Sequence, residues 1–322
     1  MIIFRNKAFL MKALLSSIVI ICIGITVSFI SSGREADVSP QFQTESSYQV
    51  KSIKLPDSVS FAGENMPLEN FDTRESLDRE ILTSTYRHSS TILILKRGNR
   101  FLPVIEKILR EYNIPDDFKY LVMAESELSN MISPVGATGF WQIMESTGRE
   151  EGMEINSEVD ERYNLEKSTR FACMYFLKSY AKYGNWTLSA ASYNGGRNGT
   201  DEQIEIQGEN NYYDLLLNEE TGRYVFRIVA YKLIYENPKA YGFNITRNDL
   251  YPEIPATEVK VDTAVTDFAE FAKKFGTNYK TLKLLNPWLR KPFLTNKARK
   301  AYLIKIPVLG IRNSSDLVLK DS

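Results

Sequence analysis

Two glutamates lie close together in one predicted helix, and their positions suggest acid–base chemistry. Apolar side chains recur with helical period over 118–128. At 100° per residue, Glu125 falls at about 340° from Phe118, within the apolar stripe, whereas Glu127 falls at about 180°, on the polar face. Burial raises the pKa of a carboxyl group, and an acid still protonated near neutral pH can protonate a glycosidic oxygen. From periodicity alone, a structural glutamate paired with a buried arginine, or exposed at a helix end, remains an alternative.

Three other segments carry polar residues at glycine turns or at a helix start. Glycine allows the backbone to approach a ligand closely, and the polar groups could position one. Each segment alone also fits a helix cap, a turn or a core aromatic, but together with Glu125 they form a candidate site. They are the loop 133–144 with Gln142, the helix end 190–196 with Tyr193 and Asn194, and the helix start 220–225 with Glu220, Thr221 and Tyr224.

These segments resemble the motifs of lytic transglycosylases of the lysozyme-like soluble-lytic-transglycosylase superfamily, in particular the membrane-bound lytic murein transglycosylase D type. The resemblance covers about 75–240. Glu125-Ser126 matches the catalytic Glu-Ser pair, and 136–142 matches Gly-Ala-x-Gly-[Leu/Ile/Phe]-[Trp/Met]-Gln. The segment 191–196 matches Ala-x-Tyr-Asn-x-Gly, and 220–225 matches Glu-Thr-x-x-Tyr-Val.

The resemblance implies that the protein cleaves the MurNAc-β-1,4-GlcNAc bond of peptidoglycan glycan strands and leaves a 1,6-anhydro end. Glu125 would protonate the glycosidic oxygen and then act as base. Assistance by the N-acetyl group would remove the need for a second carboxylate, and we assign no second acid in the motifs. No cofactor or metal is implied. The residues expected to contact the sugar or to tune Glu125 are Ser126, Ser133, Gln142, Tyr193, Asn194 and Tyr224.

Two other functions remain compatible with this resemblance. A muramidase-type hydrolase on the same scaffold would release reducing ends, and only the chemistry of the products separates it from a lyase. A catalytically inactive peptidoglycan-binding protein belongs to a different class. The intact motifs around Glu125 argue against it.

Composition excludes several other classes of protein. Forty Lys+Arg balance forty Asp+Glu, so the chain has no net charge to attract nucleic acid. One His and two Cys are too few for most metal or thiol sites. The sequence gives no indication of oligomeric state.

The N-terminus, 1–33, is predicted to be a signal peptide or a signal anchor. Three basic residues precede an uncharged apolar run over 13–30, and Ser31, Ser32 and Gly33 follow. The run is just long enough to span a bilayer. We therefore expect export to the periplasm or cell envelope, with inner-membrane anchoring through 13–30 as an open alternative.

The remaining chain divides into an arm, a helical domain and a small C-terminal unit. The arm, 34–71, is polar, with three prolines, and is predicted to be a linker or a loosely packed segment. The catalytic domain is expected over 72–245 and is followed by a proline-containing linker. Its predicted helices are 72–97, ended by Gly98, then 101–112, one opening at 115, 165–183, 186–193 and 219–236.

The C-terminal unit, 257–310, has a strand–helix–helix–strand pattern that resembles a LysM module. Phe268, Phe271 and Ala272 follow the apolar helix pattern of that family, and Asn286-Pro287 matches its turn. The resemblance implies binding of N-acetylglucosamine-containing glycans, but a unit that simply packs on the catalytic domain is equally open. The predicted fold class is mainly α, a lysozyme-like helical transglycosylase domain plus a small βααβ LysM-like domain.

Overall fold

The fold is mainly α-helical with two small two-stranded sheets, one near the start of the described residues and one at their C-terminal end, which confirms the predicted class. The structure is a computed structural model and describes residues 50–310. The predicted signal segment and the part of the arm before residue 50 lie outside this range. No helix within it is long and apolar enough to cross a membrane. The helices and strands are β1 (Ser60–Phe61), β2 (Glu64–Asn65), α1 (Phe71–Tyr86), α2 (His88–Glu111), α3 (Leu121–Ser126), α4 (Glu145–Glu150), α5 (Leu165–Tyr183), α6 (Trp186–Gly195), α7 (Arg197–Gln207), α8 (Glu219–Glu236), β3 (Ala256–Val261), α9 (Phe268–Lys274), α10 (Tyr279–Leu285) and β4 (Tyr302–Pro307).

The first two long helices correct the prediction at Gly98. The chain breaks at Arg87, and α2 then continues through Gly98 and Pro103. Gly98 lies against the ring of Tyr235 in α8. A Cβ at this position would come within 2.8 Å of Tyr235 Cζ, so only glycine fits without a shift of the ring. The glycine therefore permits close helix packing and does not end the helix.

Capping residues set the ends of α5 and α8 where the sequence predicts them. Gly184 adopts a left-handed conformation with φ 71° after α5, and its amide donates to Tyr180 O. The Asn218 side chain accepts a hydrogen bond from Thr221 N at the start of α8, and Pro238 follows its last residue closely. Helix α7, which is absent from the predicted helices, has no side-chain cap at its start and ends at Gly208 in the left-handed conformation.

The arm, 34–71, is not a loose linker at its C-terminal end. Phe61 of β1 is fully buried, and its ring lies 5.1 Å from that of Phe118. The Glu64 carboxylate accepts hydrogen bonds from the first amides of α6, including Thr187 N at 2.8 Å. The strands β1 and β2 have two residues each, which is too short for an apolar period to appear in the sequence.

The C-terminal unit has the predicted βααβ order. Strands β3 and β4 pair antiparallel, with Val261 opposite Tyr302. Asp267 and Asn278 cap α9 and α10 with their side chains, as their positions suggest. The small core of this unit also contains Val159 from the helical part of the chain, so the two parts share buried surface.

The Gly98–Tyr235 contact gives a first testable prediction. Gly98→Ala places a methyl group where the tyrosine ring lies, and we expect overpacking to lower the free energy of unfolding by about 1–3 kcal/mol. Helix propensity alone would raise it by about 1 kcal/mol.

Gly199→Ala is the matched control, since Gly199 lies in α7 and a methyl group added there would meet no atom within 4 Å. The stability of this variant should stay equal to that of the wild type or rise. Denaturant unfolding measures both variants. A stabilised Gly98→Ala protein would contradict the packing argument.

Candidate active site

Glu125 lies in the last turn of α3 and forms a direct hydrogen bond with Tyr224. The Tyr224 hydroxyl donates to Glu125 Oε1 from the first half of α8. Tyr224 is buried, whereas the Glu125 side chain remains partly exposed. The structure thus brings together two residues that the sequence places almost one hundred positions apart.

The carboxyl group of Glu125 is an unusually weak acid. Burial raises its pKa to about 7, and the negative charge of Glu220 acts in the same direction. The hydrogen bond from Tyr224 and the positive charge of Arg227 lower it, but they do not offset burial. Part of the side chain is exposed, yet its packed surroundings exclude enough water to make desolvation the largest influence. At neutral pH the group can therefore both donate and accept a proton.

Glu127 lies beyond the end of α3, which corrects the length of the predicted helix. Its backbone has φ 51° and that of Leu128 has φ 56°, so two consecutive residues adopt the left-handed conformation. The helical angle used for Glu127 therefore does not apply. Its carboxylate forms a 2.7 Å ion pair with Arg87.

The loop 133–144 is held by hydrogen bonds within itself and to the residues just before it. Gln142 has φ 47°, and its Nε2 donates to Gly139 O at 2.8 Å and Met131 O at 3.2 Å. The Ser133 hydroxyl accepts from Ala137 N at 3.0 Å and closes the loop turn. These groups shape the loop, so the predicted sugar contacts of Ser133 and Gln142 stay predictions.

A buried ion pair holds this loop by hydrogen bonds to its backbone. Asp160 and Arg162 form two side-chain hydrogen bonds of 3.0 and 2.8 Å, and both residues are 7% exposed. Arg162 Nη1 then donates to Gly136 O and Ile143 O, each at 3.3 Å. Any side chain at Gly139, where φ is 85°, would overlap the Arg162 carbonyl. The arginine and the glycine together fix the path of the loop.

Tyr193 and Asn194 end α6 next to the loop and the start of α8. The Tyr193 hydroxyl donates to Trp141 O at 2.7 Å. Burial is the main reason why the pKa of Tyr193 is raised, and the negative charge of Glu125 raises it further. Asn194 Nδ2 donates to Glu220 at 3.3 Å, and its Oδ1 accepts from Thr221 at 2.9 Å. Both side chains thus connect the motif segments to one another.

Two residues of the motifs have more local roles in the structure. Ser126 is buried, and its hydroxyl donates to Val122 O at 3.2 Å within α3. Trp141, for which the sequence allows either sugar stacking or core packing, is fully buried, and its indole N–H donates to Thr169 at 2.8 Å. Their part in the site is to support Glu125 and the loop.

Glu220 is a second acid in the motifs, contrary to the expectation from the sequence. Its charge raises the pKa of Glu125, and its carboxylate accepts a hydrogen bond from Asn194. The Glu220-Thr221 pair in the third motif is the signal that could have revealed it. The expectation that the motifs contain no second acid is therefore wrong.

Helix α8 is anchored by a buried carboxylate of α1. Glu80 is 1% exposed and pairs with Arg223 at 2.6 Å and with Arg227 at 3.4 Å. These pairs hold α8, and with it Tyr224, against α1. Arg227 also lowers the pKa of Glu125. The Glu80–Arg227 pair therefore links the position of α8 to the acidity of Glu125.

A cleft of about 400 Å³ opens beside these motifs. Gln142, Tyr193 and Asn194 lie in its wall, together with Arg197 at the start of α7. Glu125 and Tyr224 are not among the described residues that line it. Tyr193, which interacts electrostatically with Glu125, and Asn194, which binds the start of α8, connect the cleft to the Glu125–Tyr224 pair.

Two family models match the chain. A transglycosylase SLT domain matches residues 103–216, which include α3, the loop 133–144 and α6. A soluble lytic transglycosylase C-terminal LysM-like domain matches residues 257–310. Both domain types agree with the sequence resemblance, which is thereby confirmed.

Curated relatives point in the same direction. The chain is 26% identical over 239 residues to the membrane-bound lytic murein transglycosylase D of Escherichia coli K12 and equally to that of Escherichia coli O6:H1. The aligned part is 71% of this chain and 51% of each relative, so the chain spans about half the length of the curated relatives it matches. A solved structure of an inactive mutant of the lytic transglycosylase Slt from Pseudomonas aeruginosa is 19% identical, with a TM-score of 0.35, over 47% of this chain and 26% of that one.

The raised pKa of Glu125 predicts a characteristic pH dependence of stability. The folded protein retains a proton that the unfolded chain releases, so stability should fall by up to about 3 kcal/mol as the pH rises from about 4.5 to about 7. Glu125→Gln carries no titratable proton and should lack this component. Its free energy of unfolding at pH 8 should therefore exceed that of the wild type.

Glu127→Gln provides the control for this measurement and should keep the wild-type slope. Denaturant unfolding at pH 5 and pH 8 compares the three proteins. Parallel slopes for Glu125→Gln and wild type would contradict the burial of the Glu125 carboxyl.

The Asp160–Arg162 pair predicts a strong effect on stability. Asp160→Ala leaves a buried guanidinium without its counter-charge, so we expect a loss of about 3–5 kcal/mol in the free energy of unfolding. Glu145→Ala removes the exposed partner of Arg149 instead and should change stability little. Equal losses in the two variants, measured by denaturant unfolding, would show that burial of the pair does not matter.

Proposed function

We propose that this protein, whose sequence matches a transglycosylase SLT domain and a LysM-like domain, is a peptidoglycan lytic transglycosylase. It would cleave the MurNAc-β-1,4-GlcNAc bond of glycan strands and form a 1,6-anhydro-MurNAc end during cell-wall remodelling or turnover. The observation that carries this proposal is the Glu125 carboxyl, with its pKa raised to about 7 and its hydrogen bond from Tyr224.

The first step is protonation of the leaving oxygen. Tyr224 donates to Glu125 Oε1, which leaves Oε2 to carry the transferable proton. Glu125 gives this proton to the glycosidic oxygen as the bond to the muramic C1 breaks. The tyrosine keeps the carboxyl in one orientation, and burial keeps a protonated fraction present near neutral pH.

The second step closes the sugar on itself. The N-acetyl group can assist at C1, and the C6 hydroxyl then attacks this carbon. The ionised Glu125 accepts the C6 hydroxyl proton and returns to its initial state. Intramolecular attack has a large effective-molarity advantage over attack by water. Gln142, Tyr193 and Asn194, which line the neighbouring cleft, would orient the muramic sugar for this closure.

A muramidase-type hydrolase is the second candidate, and Glu220 is the observation that favours it. Its carboxylate acts electrostatically on Glu125, and a second carboxylate can activate water in glycoside hydrolysis. Against this role, Asn194 already donates a hydrogen bond to Glu220. An inactive peptidoglycan-binding protein would have no need for the raised pKa of Glu125.

The location of the protein follows from the N-terminal segment in this proposal. A signal peptide or anchor over 1–33 would place the domains in the periplasm or elsewhere in the cell envelope, where glycan strands are found. The LysM-like unit would retain the enzyme on its substrate by adding a second binding site. No cofactor takes part in the proposed reaction.

Glu125→Gln tests the catalytic assignment. Glutamine preserves shape and can still accept the Tyr224 hydrogen bond, but it cannot transfer a proton, so turnover of purified sacculi should fall at least about 10²-fold. Glu127→Gln removes the other glutamate of the segment and should retain nearly full turnover. If Glu127→Gln were the inactive variant, the assignment would be reversed.

Product analysis separates the lyase from the hydrolase. Mass spectrometry should find muropeptides about 18 Da lighter than hydrolysed ones, because intramolecular closure replaces the addition of water. They should resist borohydride, since no hemiacetal remains. Products that borohydride reduces, and that carry an oxygen isotope label taken up from labelled water, would establish the hydrolase.

A further inference from the structure

The cleft beside the candidate active site contains a single charged side chain. Of the described residues that line its volume of about 400 Å³, only Arg197 carries a formal charge at neutral pH. Gln142 and Asn194 lie in the same wall, so the arginine faces the region where the glycan would bind. None of the catalytic steps above uses this charge.

The guanidinium of Arg197 is held in place but is not satisfied. Its central carbon lies 4.4 Å from the ring centroid of Tyr175, a distance typical of a cation–π contact. The Tyr175 hydroxyl donates to Ser192 O at 2.7 Å and fixes the ring. Arg197 Nη1 is buried and has no hydrogen-bond partner. Nη1 itself is shielded from solvent, but other atoms of Arg197 line the cleft, so an acceptor that enters it would pair with a guanidinium whose charge is not yet compensated.

The acid nearest in sequence on the same helix is already engaged. Asp201, one turn after Arg197, forms an ion pair with Lys182 and accepts a hydrogen bond from Tyr183 at 3.1 Å. No salt bridge to Arg197 occurs within residues 50–310. The positive charge of Arg197 is therefore not neutralised by an ion pair on its own helix.

The start of α7 adds positive potential at the same place. Gly196 precedes the helix and has no side chain to cap it, and the first backbone hydrogen bond runs from Thr200 N to Gly196 O at 3.1 Å. The amides of 197–199 come before this bond and lie at the positive end of the helix dipole. Arg197 and these amides together favour an anion.

We propose that the cleft at Arg197 binds a carboxylate on the substituent of the muramic sugar, an inference that rests on the proposed function. A guanidinium and a carboxylate match in a planar, two-bond geometry. The apolar side chains of Ile143 and Phe171 line the cleft beside Arg197 and suit the short carbon skeleton of such a substituent. The carboxylate has two sources, the free acid of the lactyl ether in stem-free strands or an acidic group of the attached peptide.

Binding experiments with four glycans distinguish these sources. The first pair is a stem-free MurNAc–GlcNAc oligomer with a free lactyl acid and the same oligomer with that acid converted to a methylamide. The second pair is a peptide-bearing oligomer with free peptide carboxylates and the same oligomer with them amidated. Calorimetry on the Glu125→Gln protein measures each Kd without cleavage.

Replacing Arg197 should abolish the preference for the acid over its amide. In the Glu125→Gln background, the added change Arg197→Gln should weaken binding of one acidic glycan about tenfold or more and leave its amide unchanged. The pair that responds identifies the source of the carboxylate. Arg197→Lys keeps the charge without the planar geometry and should recover only part of the affinity.

Arg170→Gln is the matched control, because Arg170 also lies over a tyrosine ring, that of Tyr112, but outside the cleft. Its affinities should equal those of the parent protein. Equal losses for an acid and its amide, or no loss in either pair, would overturn the inference. Cleavage of sacculi by the wild-type protein is scored separately, so failure of the proposed function and failure of the carboxylate site give different results.

Discussion

The removal of one carboxyl group from water is the constraint on which the site depends. Desolvation and the negative charge of Glu220 favour the protonated form of Glu125, while the hydrogen bond from Tyr224 and the positive charge of Arg227 favour ionisation. The balance places its pKa at about 7, where both protonation states are accessible. Because Tyr224, Arg227 and Glu220 all lie in α8, the acidity of Glu125 depends on how α3 and α8 are held together.

Two buried carboxylates hold the elements that surround Glu125. Glu80 pairs with Arg223 and Arg227, and so positions α8 against α1. Asp160 pairs with Arg162, which donates to the carbonyls of Gly136 and Ile143 in the loop 133–144. Buried ion pairs are a weak source of net stability, but each is strongly disrupted when one partner is lost. Here they fix geometry more than they add stability.

Local signals in the sequence predict the helix ends that depend on local chemistry. Gly184 and Asn218 act through their own backbone and side chain, and α5 and α8 begin or end where these residues indicate. Gly98 departs from its local signal because it serves a contact with Tyr235, which is distant in sequence. The amphipathic stripe identifies Glu125 correctly as the carboxyl on the buried side, although α3 ends before Glu127 and the angle of that residue is not helical.

The sequence predicts those parts of the candidate site in which two motif residues bind each other. It does not predict the parts in which motif residues bind the backbone or act at a distance. Glu125 and Tyr224, both taken from the motifs, form a direct hydrogen bond, and their roles in the reaction stay predictions. The donors of Gln142 and Tyr193, by contrast, bind backbone carbonyls, which no spacing in the sequence reveals. The third motif contains Glu220, but its electrostatic effect on Glu125 arises only when α8 packs beside α3.

The C-terminal unit connects to the site through the same Asp160–Arg162 pair. Asp160 N donates to Trp288 O at 2.9 Å, and Arg290 N donates to Glu158 O at 2.7 Å. Val159, between these two bonds, is buried in the core of the small unit. The segment that carries Arg162 is therefore held on one side by the LysM-like unit and on the other by the loop 133–144. Packing on the helical domain is thus one role of this unit, because the surface that it contacts at 158–160 leads directly to the arginine that holds the loop.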